Sequence, residues 1–382
     1  MSGSFDTIVL GLGGMGSAVV SHLAARGQRV LGLDQFTPPH EKGSSHGASR
    51  VIRQAYYEDP AYVPLLMRAF ELWRQLERDS GQSLLTVTGA LMLGTPGSAV
   101  VSGSLRSARE HGLPHELLDA GEIRRRFPPF TPPPGTVALH ERNAGFLRPE
   151  AAIHAHLDQA TRHGARLQCE EKVLDWNASL ARVRVTTTRG SYEAAQLVIA
   201  AGPWATSLLA DLRLPLAIER QVQFWYAPPG GIAPFLPDRF PVWIWETEDG
   251  LHPYGLPALD GPAAGVKVAL HHGGNRQSCT PDAIDRQVAE QEIAAMRRCL
   301  ANRIPSLGDR CLNAVTCMYT NAPDGHFVMD RHPAHPEVLI VSPCSGHGFK
   351  FCPVIGEIVA DLLARDLTAH QIQLFRFDRL RK

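Results

Sequence analysis

The sequence lacks an excess of charge of either sign. Its 382 residues include 38 Lys and Arg and 38 Asp and Glu, so the formal net charge is zero. A chain without a net positive field does not attract nucleic acid or an anionic membrane over a distance. It also has no run of about eighteen apolar residues, the length that a transmembrane helix requires. We therefore expect neither a nucleic-acid partner nor a membrane span.

The sequence also lacks the patterns of disulfide frameworks and zinc sites. Its seven cysteines are odd in number and form no CxxC pair, and its 17 histidines are scattered without an HExxH motif. The first residues have neither the basic segment nor the long apolar core of a signal peptide. We expect a cytoplasmic protein without a metal site.

The length favours two domains over one. Residues 215–320 are rich in aromatic residues and alternating patterns, which predict an antiparallel sheet, whereas both ends of the chain have α/β character. A proline-rich loop is expected at 127–135. Strands are predicted at 6–10, 29–33, 84–94, 183–188, 196–201 and 338–342, and helices at 17–26, 62–78, 151–163 and 349–365.

A glycine motif follows the first predicted strand. Gly11, Gly13 and Gly16 fit GxGxxG, and Asp34 ends the second strand. In a dinucleotide site the glycines allow the tight turn, the approach of the pyrophosphate and the helix packing, and the acid binds a ribose hydroxyl. The alternative is a glycine-rich turn with a solvated Asp34. The motif predicts a dinucleotide but does not separate FAD from NAD.

Five further segments carry a family resemblance that covers nearly the whole chain. They are Gly43–Arg53, Tyr62–Leu65, Lys267–His271, Cys317–Thr320 and Ser345–Phe351. Together and in this order they resemble the monomeric sarcosine oxidase and N-methyltryptophan oxidase family, FAD-dependent amine oxidases of the D-amino-acid-oxidase-like group.

The resemblance implies an α/β (α+β) fold and a monomer. A Rossmann-like FAD-binding domain of the glutathione-reductase type is expected to be interleaved with a substrate domain on a mostly antiparallel sheet. The FAD domain is expected at 1–85, 145–215 and 321–382, and the substrate domain at 86–144 and 216–320.

The resemblance also implies that FAD is held covalently, by a thioether between Cys317 and the 8α-methyl group. The alternatives are a tether at Cys311 or an ordinary buried thiol at Cys317. The other expected cofactor contacts are Gly11, Gly13, Gly16, Asp34, Ser44, His46, Ser49, Arg50, Val173, Gly346, Gly348 and Lys350.

For the substrate, the resemblance implies that Arg53 and Lys350 bind a carboxylate, a reasonable use of a bidentate guanidinium and a point charge. Lys267 is expected near flavin N5, assisting the reaction with O2, and His271 lies four residues on, on the same face of a strand. The alternatives are that Arg53 and Lys350 are ordinary solvated cations and that Lys267 and His271 are solvated residues of an edge strand. Arg50 is expected at the flavin ring, and Tyr254, Tyr319 and His347 in the substrate cavity, although the tyrosines could be core aromatics.

The predicted reaction is oxidation of a small secondary amine, most likely an N-methyl amino acid such as sarcosine, to an imine that hydrolyses to aldehyde and amine, while O2 becomes H2O2. The rivals are an oxidase or dehydrogenase of a cyclic imino acid or another amino acid, a non-catalytic flavin-binding relative and, more distantly, an NAD-dependent dehydrogenase. Ala48, Tyr57, 243–249 and 343–344 depart from the family pattern near the expected cavity, which leaves the amine open.

Overall fold

The computed structural model describes residues 5–179, 182–259, 261, 264–271, 277–342 and 345–380. Its strands are β1 (Phe5–Leu10), β2 (Val30–Leu33), β3 (Arg50–Ile52), β4 (Leu85–Val87), β5 (Ala90–Gly94), β6 (His115–Asp119), β7 (Val137–Glu141), β8 (Gly145–Leu147), β9 (Arg166–Gln168), β10 (Val173–Ser179), β11 (Arg182–Thr187), β12 (Ser191–Ile199), β13 (Ala217–Tyr226), β14 (Val242–Trp245), β15 (Pro253–Leu256), β16 (Val266–Leu270), β17 (Gln277–Ser278), β18 (Cys311–Asn321), β19 (Val328–His332) and β20 (His335–Ser342). Its helices are α1 (Gly14–Ala25), α2 (Val63–Ser80), α3 (Ala99–Glu110), α4 (Ala120–Arg126), α5 (Pro149–Arg162), α6 (Ala205–Leu208), α7 (Glu290–Ala301) and α8 (Cys352–Arg365).

The first sheet has a parallel centre. Its parallel strands lie in the order β9, β2, β1, β12 and β20, and β10, β11 and β19 extend it with antiparallel pairs. Strands β1 and β2 end in wholly apolar buried runs, as strands covered on both faces do. Helix α1 packs against α5 and α8. On one side β1 pairs with β2, the next strand of the chain, and on the other side it pairs with β12, which is followed outward by β20. The strand order therefore reverses at β1, and a crevice opens at the carboxyl end of a strand in such a position.

The second sheet is mostly antiparallel and runs β17, β13, β16, β15, β14, β5, β7 and β6, with β18 on the other side of β13. The pairing of β14 with β5 is its parallel exception. A small third sheet joins β3, β8 and β4. The α/β (α+β) class predicted from the sequence is confirmed. The division into domains stays a prediction, although the boundary at residue 85 falls within β4, which pairs in the third sheet.

Three local predictions were wrong in detail. The single strand expected at 84–94 is two strands in different sheets, because the chain turns at Gly89, whose φ is +75°. The helix expected from Phe349 begins at Cys352, after a 3-10 turn over Phe349–Phe351. Helix α7 lies in the region predicted as strands, and it buries one face through Met296, Cys299 and Leu300. Residues 343–344, a predicted departure from the family, lie outside the described residues.

Candidate active site

A cavity of about 400 Å³ lies between the carboxyl ends of the parallel strands and one face of the second sheet. Gly11, Asp34 and Ala200 line one end, directly after β1, β2 and β12. Arg53 and Lys350 also line the cavity. Ligands of open α/β sheets bind at this edge, so the fold places the cavity where a cofactor is expected.

The glycine turn is required by the close packing of β1, α1 and β12. Gly11 has φ +88°, and a Cβ there would lie 2.6 Å from the carbonyl oxygen of Ala200. A Cβ on Gly16 would collide with the carbonyl oxygen of Gly11. Asp34 Oδ2 accepts a hydrogen bond from the backbone N–H of Leu12 at 2.7 Å, so the acid also holds the turn. The N-terminus of α1 therefore faces the cavity with a backbone that only glycine permits.

Two residues in the wall of the cavity have a buried polar atom without a hydrogen-bond partner among the described residues. The Gln223 Oε1 and Thr320 Oγ1 atoms are buried, and neither has a hydrogen-bond partner within the described part of the chain. Both residues line the cavity. Buried polar atoms are rarely left unsatisfied, so a ligand rich in heteroatoms is expected beside them. The glycine turn, the helix N-terminus and these atoms fit FAD.

The residues predicted to contact the cofactor gather at this cavity. Among the described residues, its lining includes Gly11, Gly13, Asp34, Ser44, Arg50, Val173, Cys317, Gly346, Gly348 and Lys350. Gly16, His46 and Ser49 are not among the lining residues and lie behind it. The Sγ atom of Cys317 lies 3.9 Å from the Arg50 guanidinium. Cys311, the competing position for the tether, does not line the cavity.

Arg53 is a buried cation that already holds an anion. The residue is 1% exposed, and Nη2 donates to both carboxylate oxygens of Glu58 at 2.7 Å. The guanidinium also lies 4.1 Å from the ring centroid of Tyr56 and 4.5 Å from that of Tyr57. This packing fixes the guanidinium in one place. Glu58 was not among the predicted site residues, although it follows the arginine by five positions in the sequence.

Lys350 is the second buried cation. Its Nζ donates to the backbone oxygen of His347 at 2.7 Å and to the Tyr56 hydroxyl at 3.3 Å. Burial, together with the positive charge of Arg53, lowers the pKa of Lys350 to about 7, although Glu58 acts in the opposite direction. Its direct contacts are neutral groups, so near neutral pH the ammonium has no carboxylate of its own.

His347 is held as a neutral ring. Burial lowers its pKa to about 4. Its Nε2 lies 2.9 Å from the backbone oxygen of Gly325, and its Nδ1 lies 2.6 Å from the Tyr56 hydroxyl. A carbonyl oxygen only accepts, so Nε2 carries the proton and Nδ1 accepts from Tyr56. The ring thereby orients the hydroxyl that Lys350 contacts.

Lys267, in β16, and His271, directly after it, lie on the same face of the sheet, but Lys267 is buried more deeply. His271 lines the cavity, and its Nδ1 lies 3.2 Å from the Tyr319 hydroxyl. Tyr254, which also lines the cavity, meets the His271 ring edge-on. Lys267 is 2% exposed and donates to the backbone oxygens of Gly47 at 2.6 Å and Ser49 at 2.8 Å. It lies behind the loop rather than at the cavity surface, and burial with nearby Arg50 lowers its pKa well below the usual range.

Two carboxylates that sequence reasoning missed hold the backbone of the site. Glu141, on β7, accepts from the N–H groups of Gln54 and Ala55 at 2.8 and 2.9 Å, and burial raises its pKa. Glu150, at the start of α5, accepts from Gly47 and Ala48. Both bind backbone amides far away in the chain, a contact with no local sequence signal.

Within the described residues, no cluster of three or more His, Cys, Asp and Glu side chains is arranged to hold a metal ion. In the same part of the chain, we find no helix with the length and apolarity to cross a membrane.

Comparison with known proteins agrees with this geometry. The model of the family described as FAD dependent oxidoreductase matches residues 6–362. The chain is 53% identical to the monomeric sarcosine oxidase of Streptomyces avermitilis, over 98% of this chain and 97% of that protein. It is 34% identical to the N-methyl-L-tryptophan oxidase of Salmonella heidelberg, over 98% and 99% of the two chains.

Among solved structures, a variant of the amino acid oxidase NikD superposes with a TM-score of 0.86 and 25% identity, over 98% of this chain and 97% of that one. The family resemblance predicted from the five sequence segments is confirmed. The chain therefore belongs to the FAD-dependent oxidoreductase family, in its group of monomeric sarcosine oxidases and N-methyl-L-tryptophan oxidases, and it is a flavin-dependent amine oxidoreductase.

Proposed function

We propose that the protein is an oxidase of a small N-methyl amino acid, of which sarcosine is the simplest, and that O2 is its electron acceptor. The observation that supports this most is the pair of buried cations, Arg53 and Lys350, that line the same cavity as the glycine turn. Buried cations bind carboxylates strongly because water does not compete for them. The 53% identity to a monomeric sarcosine oxidase supports the same substrate class.

Each cation has a distinct part in binding the carboxylate. Arg53 is balanced by Glu58, so it offers geometry more than unbalanced charge. Within the described residues, the hydrogen-bond partners of Lys350 are the Tyr56 hydroxyl and a backbone oxygen, both neutral, so Lys350 supplies the net attraction. With the carboxylate bound there, the amine would lie between His271, Tyr319 and Tyr254. Burial raises the pKa of Tyr254 and Tyr319, so both phenols stay neutral, and none of the three side chains is a carboxylate that would hold the amine in its protonated form.

The reaction removes two electrons and two protons from the CH–NH unit, one proton from the carbon and one from the nitrogen, and gives an imine, which water hydrolyses to aldehyde and amine. When bound, FAD would supply the two-electron acceptor for the amine and the two-electron donor for O2, which takes up two protons and becomes H2O2. It would be held by the glycine turn and by the other cavity-lining residues Asp34, Ser44, Arg50, Cys317, Gly346 and Lys350. Lys267 would stabilise the negative charge that develops on O2 as it is reduced.

Anaerobic mixing of the purified yellow protein with a panel of amines tests the substrate class. We expect sarcosine and other small N-methyl amino acids to bleach the flavin absorbance fastest, and O2 to restore it with one H2O2 per turnover. Fastest bleaching by proline would instead indicate an oxidase or dehydrogenase of cyclic imino acids. Reoxidation by an artificial acceptor but not by O2 would indicate a dehydrogenase, and no bleaching by any amine would indicate a non-catalytic relative.

The covalent tether is a separate part of the proposal. Cys317 lines the cavity beside Arg50 and Ser44, and its Sγ lies 3.6 Å from the backbone oxygen of Ser44. Acid precipitation followed by mass analysis should find the flavin on the peptide that contains Cys317, and Cys317→Ser should release yellow FAD into the supernatant. Flavin on the Cys311 peptide, or free flavin from the unaltered protein, would contradict this assignment. We further propose that the protein is a cytoplasmic monomer.

A further inference from the structure

The loop of residues 47–49 separates a carboxylate from a buried ammonium group. Gly47 has φ +101° and Ala48 has φ +65°, so two successive residues are in left-handed conformations. Their N–H groups consequently point to one spot, where Glu150 Oε1 accepts from Gly47 at 2.7 Å and from Ala48 at 3.1 Å. Consecutive N–H groups arranged in this way form an anion-binding concavity. Here a side chain of the protein itself occupies it.

The opposite side of the same loop holds Lys267. The carbonyl oxygens of Gly47 and Ser49 accept from its Nζ at 2.6 and 2.8 Å. The Gly47 residue therefore binds Glu150 through its N–H and Lys267 through its carbonyl. The loop has little room to shift, because a Cβ on Gly47 would collide with the Gln223 side chain and lie 3.2 Å from Lys267 Nζ.

We propose that Glu150 is a positioning residue for Lys267: its carboxylate sets the conformation of the 47–49 loop, whose carbonyls hold the ammonium group beside the cofactor cavity. The inference rests on the proposed role of Lys267 in the reaction with O2. Glu150 lies in the first turn of α5, where an acid also stabilises the helix, but its two hydrogen bonds go to a segment about a hundred residues away.

The charge of Glu150 acts in the same direction as its geometry. The charged and titratable groups that act on Lys267 are Arg50, Cys317 and Glu150, with His46 also nearby. Burial and Arg50 lower the pKa of Lys267, whereas Glu150 raises it, as does Cys317 while it is a free thiol; once Cys317 is a thioether, Glu150 is the remaining group of these that raises it. Removing the Glu150 charge should therefore lower the pKa of Lys267 further, so that the ammonium form is lost at a lower pH.

Three variants separate the geometric effect from the effect of charge. Glu150→Gln keeps an oxygen that can accept from both N–H groups but loses the charge, and Glu150→Ala loses both. Asp158→Asn makes the same change of charge at an exposed position of the same helix and is the matched control. Hydrogen exchange of the holoprotein, followed on the peptide that spans residues 44–53, should be faster in Glu150→Ala and unchanged in Asp158→Asn.

Stopped-flow kinetics should show slower flavin reoxidation by O2 in both Glu150 variants, by about tenfold, the cost of about 1.4 kcal/mol, with reduction by sarcosine changed less than about twofold. The alkaline limb of reoxidation should move to lower pH in Glu150→Gln. In a Lys267→Met background the Glu150→Gln change should have no further effect, because the residue acts through Lys267.

The outcomes distinguish the inference from the function on which it rests. If Lys267→Met slows reoxidation but neither Glu150 variant does, Lys267 keeps its role and the positioning role of Glu150 is rejected. An equal loss from Glu150→Gln with and without Lys267 also rejects it. If Lys267→Met leaves reoxidation unchanged, the proposed role of Lys267 fails, whatever the exchange data show for the loop.

Discussion

Two parts of the cavity are built in different ways: the dinucleotide end, around Gly11, Gly13 and Gly16, and the substrate end, around Arg53 and Lys350. At the dinucleotide end, Gly11, Gly13 and Gly16 lie within six residues of one another, and the geometry is local: a strand, a turn and a helix. At the substrate end, the contacts join distant parts of the chain, as when the Tyr56 hydroxyl meets His347 291 positions away. One end depends on the absence of side chains, and the other on how buried side chains are paired.

This difference has an energetic consequence. Backbone N–H groups and a helix terminus attract an anion without bringing any charge into the interior. The substrate end instead buries Arg53, Lys350 and Glu58, and isolated buried charges cost several kcal/mol unless they are paired. We therefore expect substitutions at the glycine turn to act on folding and cofactor retention, and substitutions at the substrate end to act on ligand binding and its pH dependence.

The largest effect is expected from Arg53→Met. The substrate carboxylate loses its fixed guanidinium, so KM for sarcosine should rise about a hundredfold, as for other truncated buried charge pairs. Steady-state kinetics with a fixed O2 concentration provide the measurement.

Two control variants separate the loss of the Arg53 guanidinium from the burial of an unpaired Glu58 carboxylate. Arg53→Met leaves Glu58 buried without its partner, so the double variant Arg53→Met/Glu58→Gln removes this penalty and should still show the high KM. Glu58→Gln alone leaves Arg53 unbalanced and should not raise KM. An unchanged KM in the double variant would remove Arg53 from the carboxylate site.

The next effect tests the dinucleotide end with a matched pair of glycines. Gly16→Ala should lower the free energy of unfolding of the apoprotein by about 1–3 kcal/mol, because its methyl group meets a backbone carbonyl that cannot move aside. Gly13→Ala should leave this stability nearly unchanged, since the nearest atom to its Cβ would be 3.9 Å away. Denaturant unfolding measures both.

Gly13→Ala should nevertheless weaken FAD retention, because the added methyl group points to where a pyrophosphate must approach. Titration of the apoprotein with FAD in a Cys317→Ser background, where the flavin is not tethered, measures this effect. Equal loss of stability in both variants would contradict the assignment of different tasks to the two glycines.

The pH dependence of carboxylate binding tests the charge of Lys350 at the substrate end. The pKa of Lys350 is lowered to about 7, so its ammonium is present below that pH and is lost as the pH rises through it. Binding of acetate, a carboxylate without an amine, should weaken by about tenfold between pH 6 and pH 8, one decade for the loss of the charged fraction. The shift of the flavin absorbance reports the binding.

Lys350→Arg should flatten this dependence, since the guanidinium keeps its charge across the range. In a Cys317→Ser background, where the flavin is not tethered, FAD affinity depends on the glycine turn and should stay constant over the same pH values. A pH dependence that survives in Lys350→Arg would assign it to another group.

The same division explains what could be predicted from the sequence. The glycine turn, Asp34 and the long helices were predictable because spacing and periodicity are local properties. The break at Gly89 was not, because two short strands with the same alternation look like one. The family segments placed Arg53 and Lys350 at one site, but Glu58, Glu141 and Glu150 received no role, because carboxylates that hold backbone amides across the fold have no characteristic spacing.

The smallest expected effect concerns Ala48, where the family pattern has an acid and this chain has a residue in the left-handed region. Ala48→Gly should raise the free energy of unfolding by about 0.5–1 kcal/mol, because glycine adopts φ +65° without the steric cost of a Cβ. Ala295→Gly, at an exposed interior position of α7, is the control and should lower it by a similar amount. If both variants lose stability, the Ala48 methyl group contributes packing that outweighs its strain. A gain at Ala48 alone would mean that Glu150 and Lys267 hold this loop in a conformation that its own residues disfavour.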